Sequence, residues 1–136
     1  MIKPWYMFTF FSLMFFGLWG FLGAKTSTEI CAKSATFYSA LGFFIVAIFF
    51  ILIMDFQPSF NTKGIAYAIL SGVTTGLGTL FFIVALQKGP AIPIVTITAL
   101  YPMVSTLLMI IFLNHTITVK QTAGILMSLF AIVLLA

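Results

Sequence analysis

Five continuously apolar runs, each close to the length of a membrane-crossing helix, set the limits on what this chain can become. Divided at its charged residues, the sequence falls into spans 5–24, 34–54, 64–87, 91–113 and 118–136. A helix needs about 20 apolar residues to cross the ~30 Å hydrocarbon core of a bilayer. The runs do not alternate in polarity, and each is about twice as long as a membrane β-strand, so helices are expected rather than a barrel. Composition agrees. Only 6% of the residues are charged and 62% are hydrophobic, whereas a soluble domain carries roughly 25% charged residues to cover its surface. Disorder is excluded by the same figures, because disordered chains are polar and poor in aromatics. The expected fold is therefore all-α: a polytopic membrane protein of five transmembrane helices, forming a single membrane domain over 1–136.

The breaks between spans, at 25–33, 55–63, 88–90 and 114–118, hold nearly all the charges and turn-forming residues. They are too short to contain a further domain. The first run exceeds the ~7–15 residue apolar core of a secretory signal, so it is expected to stay in the membrane. The last is the weakest, because few residues follow Lys120. Snorkelling of Lys120 to the headgroups extends its reach, which suits a peripheral helix or a subunit contact.

Lysine placement bears on orientation. With five crossings, one side of the membrane receives Lys3, Lys63 and Lys120, and the other receives Lys25, Lys33 and Lys88. Orientation follows the Lys/Arg bias of the loops, and here three lysines face three. Asp55 or the amino terminus can still impose one orientation. The alternative is insertion both ways up, and two opposed five-helix units form the inverted repeat of many secondary transporters.

Chemistry within the spans is confined to hydroxyls, aromatics, glycines and prolines. Gly17, Gly20 and Gly23 lie in the first span, with Thr9 and Ser12 before them. Ala68, Gly72 and Gly76 recur every four residues in the third, as do Ser71, Thr75 and Thr79. Such spacing lets helix backbones approach closely in lipid, and most of these positions are expected to serve packing. Thr75 and Thr79 are instead assigned to a solute pathway. In the fourth span, Pro90 and Pro93 stand at the entry. Pro102 lies near the middle, where it cannot donate to the carbonyl of Thr98. Thr98, Tyr101 and Ser105 follow helical spacing, so a kinked helix with a polar stripe is expected, flexing at Pro102. Trp5 and Tyr6 suit the membrane interface. Trp19 lies deeper and is the candidate for stacking on a solute. Trp19, Thr75, Thr79, Thr98, Tyr101 and Ser105 are thus the expected substrate-binding residues, with Pro102 and Gly20 as hinges.

Several chemistries are disfavoured. Glu29 and Asp55 lie at membrane edges, so no span holds the buried carboxylate of a proton-coupled exchanger, and proton coupling is expected to be weak or absent. Glu29 and Lys33 are expected to pair on a helix surface. His115 is the only histidine and Cys31 the only cysteine, which leaves no catalytic triad, no structural zinc site and no internal disulfide. No catalytic residue, metal or cofactor is expected, and the scattered lysines give no nucleic-acid patch.

The order of motifs resembles the EamA branch of the drug/metabolite transporter superfamily. The matching residues are Leu18-Trp19-Gly20 followed by Lys25; Gly76-Leu-Gly78; Ala85-Leu86 with Gly89-Pro90-Ala91; Tyr101-Pro102; Leu113 to Thr118; and Gly124-Ile-Leu. Asn114-His115 replaces the glycine-glutamate common in the family, so no role passes to that acid. The resemblance implies a half-length, five-helix transporter of a small metabolite or drug-like solute, in a bacterial cytoplasmic membrane. It would work by alternating access as an antiparallel homodimer or as a heterodimer with a homologous chain. A non-transporting accessory subunit and a lipid or lipid-carrier flippase are the competing readings.

Overall fold

The computed structural model describes residues 4–53, 60–114 and 116–135. Lys3, Asp55 and His115, and the expected span ends at 54 and 136, lie outside the described residues. Six helices follow one another: α1 (Pro4–Glu29), α2 (Ala32–Ile53), α3 (Thr62–Lys88), α4 (Ala91–Thr98), α5 (Tyr101–Leu113) and α6 (Val119–Leu135). No strand occurs among the described residues. Among the described residues, four stretches are long and apolar enough to cross a membrane: Trp5–Glu29, Ala32–Ile53, Thr62–Lys88 and Ala91–Leu113. The chain forms two compact units, Met1–Lys88 and Gly89–Ala136.

In the first unit, α2 packs on α3, α3 on α1 and α1 on α2. The expected break at 25–33 shrinks to Ile30 and Cys31, because α1 continues through Lys25 to Glu29. Lysine, threonine, serine and glutamate mark a membrane edge without stopping a helix. The expected Glu29–Lys33 pair therefore does not form as one helical surface pair: Glu29 closes α1 and Lys33 opens α2. Glu29 instead meets Lys25 one turn back at 3.3 Å, with both side chains largely exposed. Such a pair contributes little to stability. Cys31 accepts the first bond of α2, from the Ala35 N–H at 2.9 Å. The Gln87 side-chain amide of α3 donates to the Ile30 carbonyl at 2.8 Å and pins this turn. Asn61 opens α3, its carboxamide oxygen accepting from the Gly64 N–H at 3.1 Å, as N-cap residues do.

Burial is concentrated near that pinned turn. Gly20 of α1, Ala32 and Ala35 of α2, and Thr79, Phe82, Ile83 and Leu86 of α3 are the unit's buried residues among those described. Away from the turn the helices stand further apart: a Cβ added at Gly17, Gly42, Gly72 or Gly76 would meet nothing within 4 Å. The close backbone approach expected at Gly72 and Gly76 is thus absent within the unit. Close contact is found instead at Gly23, with a side chain rather than a backbone: a Cβ there would lie 2.8 Å from Phe82 Cε1. α1 passes through Gly20 without a break.

In the second unit, the expected single helix over 91–113 is two helices. A turn at Ala99 and Leu100 separates α4 from α5, and Pro102 stands in the first turn of α5 rather than in mid-helix. Proline has no N–H for the carbonyl of Thr98, and its ring crowds that carbonyl. The chain responds by tightening: Leu100 N–H donates to the Ile97 carbonyl at 3.0 Å and Met103 N–H to the Leu100 carbonyl at 2.8 Å. Three-residue bonds of this kind are the 3₁₀ way of closing a helix end. α5 stops at Asn114, whose backbone is left-handed (φ 50°, ψ 31°). α6 starts with a reciprocal cap: Thr118 N–H donates to Gln121 Oε1 at 2.8 Å and Gln121 N–H to Thr118 Oγ1 at 3.3 Å, a capping box.

Candidate functional site: a hydroxyl-walled cavity among three helices

Trp19 and Phe82 build one wall of a cavity of about 290 Å³ in the first unit. Their rings stack with centroids 4.9 Å apart and planes 21° from parallel. The absence of a side chain at Gly23 is what admits Phe82 so close to α1. Thr26 of α1, Ser39, Gly42 and Phe43 of α2, and Thr79 of α3 complete the lining with aliphatic neighbours. A groove of about 340 Å³ between α2 and α3 adjoins it, sharing Ser39, Phe43 and Thr79 and extending along Thr36, Ser71, Gly72, Thr75 and Gly76.

Thr79 is the buried polar residue among those described, at 3% exposure. Its hydroxyl donates to the Thr75 carbonyl at 2.9 Å, which leaves the oxygen's lone pairs as acceptors. Thr75 donates to Ser71 at 2.8 Å and Thr36 to Ala32 at 2.9 Å in the same manner. No hydrogen bond ties the Ser39 hydroxyl to another described residue, so it can donate or accept. The cavity and the groove carry no ionisable side chain, and no group of three metal-ligating side chains occurs among the described residues. The arrangement can orient a small molecule by ring stacking and by hydroxyl hydrogen bonds.

The six expected binding residues divide between the two units. Trp19 and Thr79 line the cavity, and Thr75 lines the adjoining groove. Thr98, Tyr101 and Ser105 belong to the second unit. The turn at Ala99 separates Thr98 from the other two, so their expected continuous stripe is interrupted. Ser105 is exposed and donates back to the Tyr101 carbonyl at 3.2 Å. The more covered face of α5 instead carries Met103, Thr106 and Ile110, and Thr106 lines a separate space between α5 and α6. Reasoning from sequence missed Ser39 and Phe82. Ala35, Ser39, Gly42 and Val46 keep helical spacing, a small-residue face that would have pointed to Ser39. No comparable signal separates Phe82 from the other phenylalanines.

Over residues 3–136 the chain matches the EamA-like transporter family. It belongs to that family. Members are membrane transporters rather than enzymes, and with four apolar spans the chain is an integral, multi-pass membrane protein. An uncharacterized protein of Methanocaldococcus jannaschii is 29% identical over 118 residues, which cover 85% of this chain and 86% of the relative. No solved structure matches. The motifs shared with the family occupy structurally particular places. Trp19 forms the cavity wall and Gly20 is buried beside it; Leu86 is buried in α3. Pro90 precedes the first residue of α4, and Tyr101-Pro102 begins α5. Asn114 ends α5 in a left-handed backbone that glycine adopts at no steric cost.

Proposed function

We propose that this chain moves a small solute across the membrane by alternating access, as one five-helix half of a pair. Its mate is an inverted second copy or a homologous sister chain. The observation that carries the reading is the cavity bounded by Trp19, Ser39 and Thr79 and continued by an uncovered, glycine-edged groove. A small, largely apolar concavity with a few polar groups suits ligand binding, and its open flank supports completion by a mate. The even division of lysines supports an opposed copy. Thr98, Tyr101 and Ser105 of the second unit are proposed as further substrate-binding residues, and Pro102 and Gly20 as the hinges of the rocking motion.

The test is uptake into proteoliposomes of solutes from a cell extract, identified by mass spectrometry, with Trp19→Ala and Thr79→Val as comparisons. Protein-dependent accumulation of at least one solute, lowered tenfold or more by either change, is expected. Accumulation no greater than in empty vesicles would refute transport. Labelling of separate populations of a single loop cysteine from both membrane faces, in a background lacking Cys31, would support the opposed copy; one-sided labelling would point to a sister chain or a fixed accessory role. The groove's apolar, exposed flank also favours a second reading, movement of a lipid. Scrambling of a headgroup-labelled lipid without solute uptake would select it.

A further inference from the structure

Resting on that transport reading, we infer that the cargo binds between α1, α2 and α3 as an uncharged molecule: a flat, ring-containing solute with a neutral amide- or hydroxyl-type group.

Among the described residues, no ionisable side chain lines the cavity or the groove. Among the described residues, the lysines lie near helix ends: Lys33 and Lys63 are the second residues of α2 and α3, Lys88 ends α3, Lys120 is the second residue of α6, and Lys25 is paired with Glu29 in the last turns of α1. The sequence has no arginine and only two acids, Glu29 and Asp55. A second copy therefore brings no kind of charged side chain that this chain lacks. An ion entering such a site loses its hydration and meets no counter-charge, which proteins avoid by pairing buried charges.

What the walls offer instead is neutral and of two kinds. Trp19, Phe43 and Phe82 supply aromatic surface, which favours a flat ring. Thr79 Oγ1, its proton already committed to Thr75, supplies an acceptor. The uncommitted Ser39 hydroxyl supplies a donor or an acceptor. A neutral amide or alcohol can satisfy both. The volume of about 290 Å³ is near the lower edge of the ~300–1,000 Å³ of ligand pockets, so the cargo is small.

The test compares three molecules of nearly one shape: phenylacetamide (neutral), phenylacetate (anion) and phenethylamine (cation at neutral pH). The full-length protein in nanodiscs carries Trp5→Phe, leaving Trp19 as the only tryptophan, and binding is read as quenching of its fluorescence. Saturable quenching by phenylacetamide at a concentration at least tenfold below that needed for either ion is expected. It should disappear in Ser39→Leu, which fills the cavity, and weaken at least threefold in Thr79→Ala, a milder change that guards against misfolding of the first. Unchanged circular dichroism and melting qualify both variants. Quenching by either ion as strong as by the amide would overturn the inference. So would amide quenching that fails to saturate or survives in both variants, since partition into lipid would explain it. A protein that binds the amide saturably yet moves no solute in the uptake assay keeps the ligand class and loses the transport reading.

Discussion

Gly23→Ala is a single-methyl probe of how α1 meets α3. The new Cβ would stand 2.8 Å from Phe82 Cε1, well inside the ~3.5–4.0 Å of a relaxed carbon contact. Phe82 is 5% exposed and stacked on Trp19, so its retreat disturbs the cavity wall. Overpacking of this kind costs about 1–3 kcal/mol, while alanine gains about 1 kcal/mol over glycine as a helix former. The difference predicts a net loss of about 1 kcal/mol. Reversible unfolding in mixed detergent micelles, followed by Trp19 fluorescence in a Trp5→Phe background, measures it and reports the altered stacking as a spectral shift. Phe82→Leu makes room for the methyl, so the double variant should lose less than the sum of the two single changes, with a coupling of at least ~0.5 kcal/mol. A Gly23→Ala protein more stable than its parent, with additive effects and an unchanged spectrum, would refute the close approach.

Pro102→Ala restores an amide able to reach the Thr98 carbonyl, so the turn at Ala99 and Leu100 should become regular helix; backbone carbon chemical shifts of residues 98–100 that stay unchanged would contradict this. Asn114→Gly should stabilise the end of α5 by up to ~1 kcal/mol, since the backbone there is left-handed (φ 50°) and glycine enters that region freely; a lower melting temperature would count against it. The Ser34 hydroxyl, 3.2 Å from Cys31 Sγ, holds the exposed thiol below its ordinary pKa, followed by the Ser34 backbone. A lowered pKa means more thiolate at a given pH. Ser34→Ala should therefore slow maleimide labelling of Cys31 near neutrality and move its pH profile upward, and an unmoved profile would dismiss the bond.

Helical content and approximate span positions were legible because apolar runs and capping residues are local signals. Asn61 at the start of α3 and the Thr118–Gln121 pair at the start of α6 lie where capping chemistry places them. Helix ends were less legible where charge alone marked them. Lys25 signals a membrane edge, yet α1 runs on to Glu29, since hydrogen bonding and not charge decides where a helix stops. The polar stripe over Thr98, Tyr101 and Ser105 assumed one continuous helical phase, and the tightened turn before Pro102 interrupts it. Trp19 and Thr79 stand out as an aromatic and a hydroxyl at depth within apolar spans. Phe82 does not, because in a chain with 17 phenylalanines only packing distinguishes the one that Gly23 accommodates.

The knot that Gln87 ties to Ile30 would act as a fulcrum in any rocking of the first unit. α1 and α2 are joined there by two residues, α3 is tethered to the same point, and the buried contacts gather around it. Levers held at one end amplify: α2 has 22 residues, a length of roughly 33 Å at ~1.5 Å per residue, so a tilt of ~10° about the knot sweeps its far tip by about 6 Å. Phe82, five residues before Gln87 in α3, sits nearest the pivot and would move little under such a sweep, while the glycine-edged flank would flare and shut. Three helices fastened at one corner would hold a grip nearly still beside a mouth free to swing.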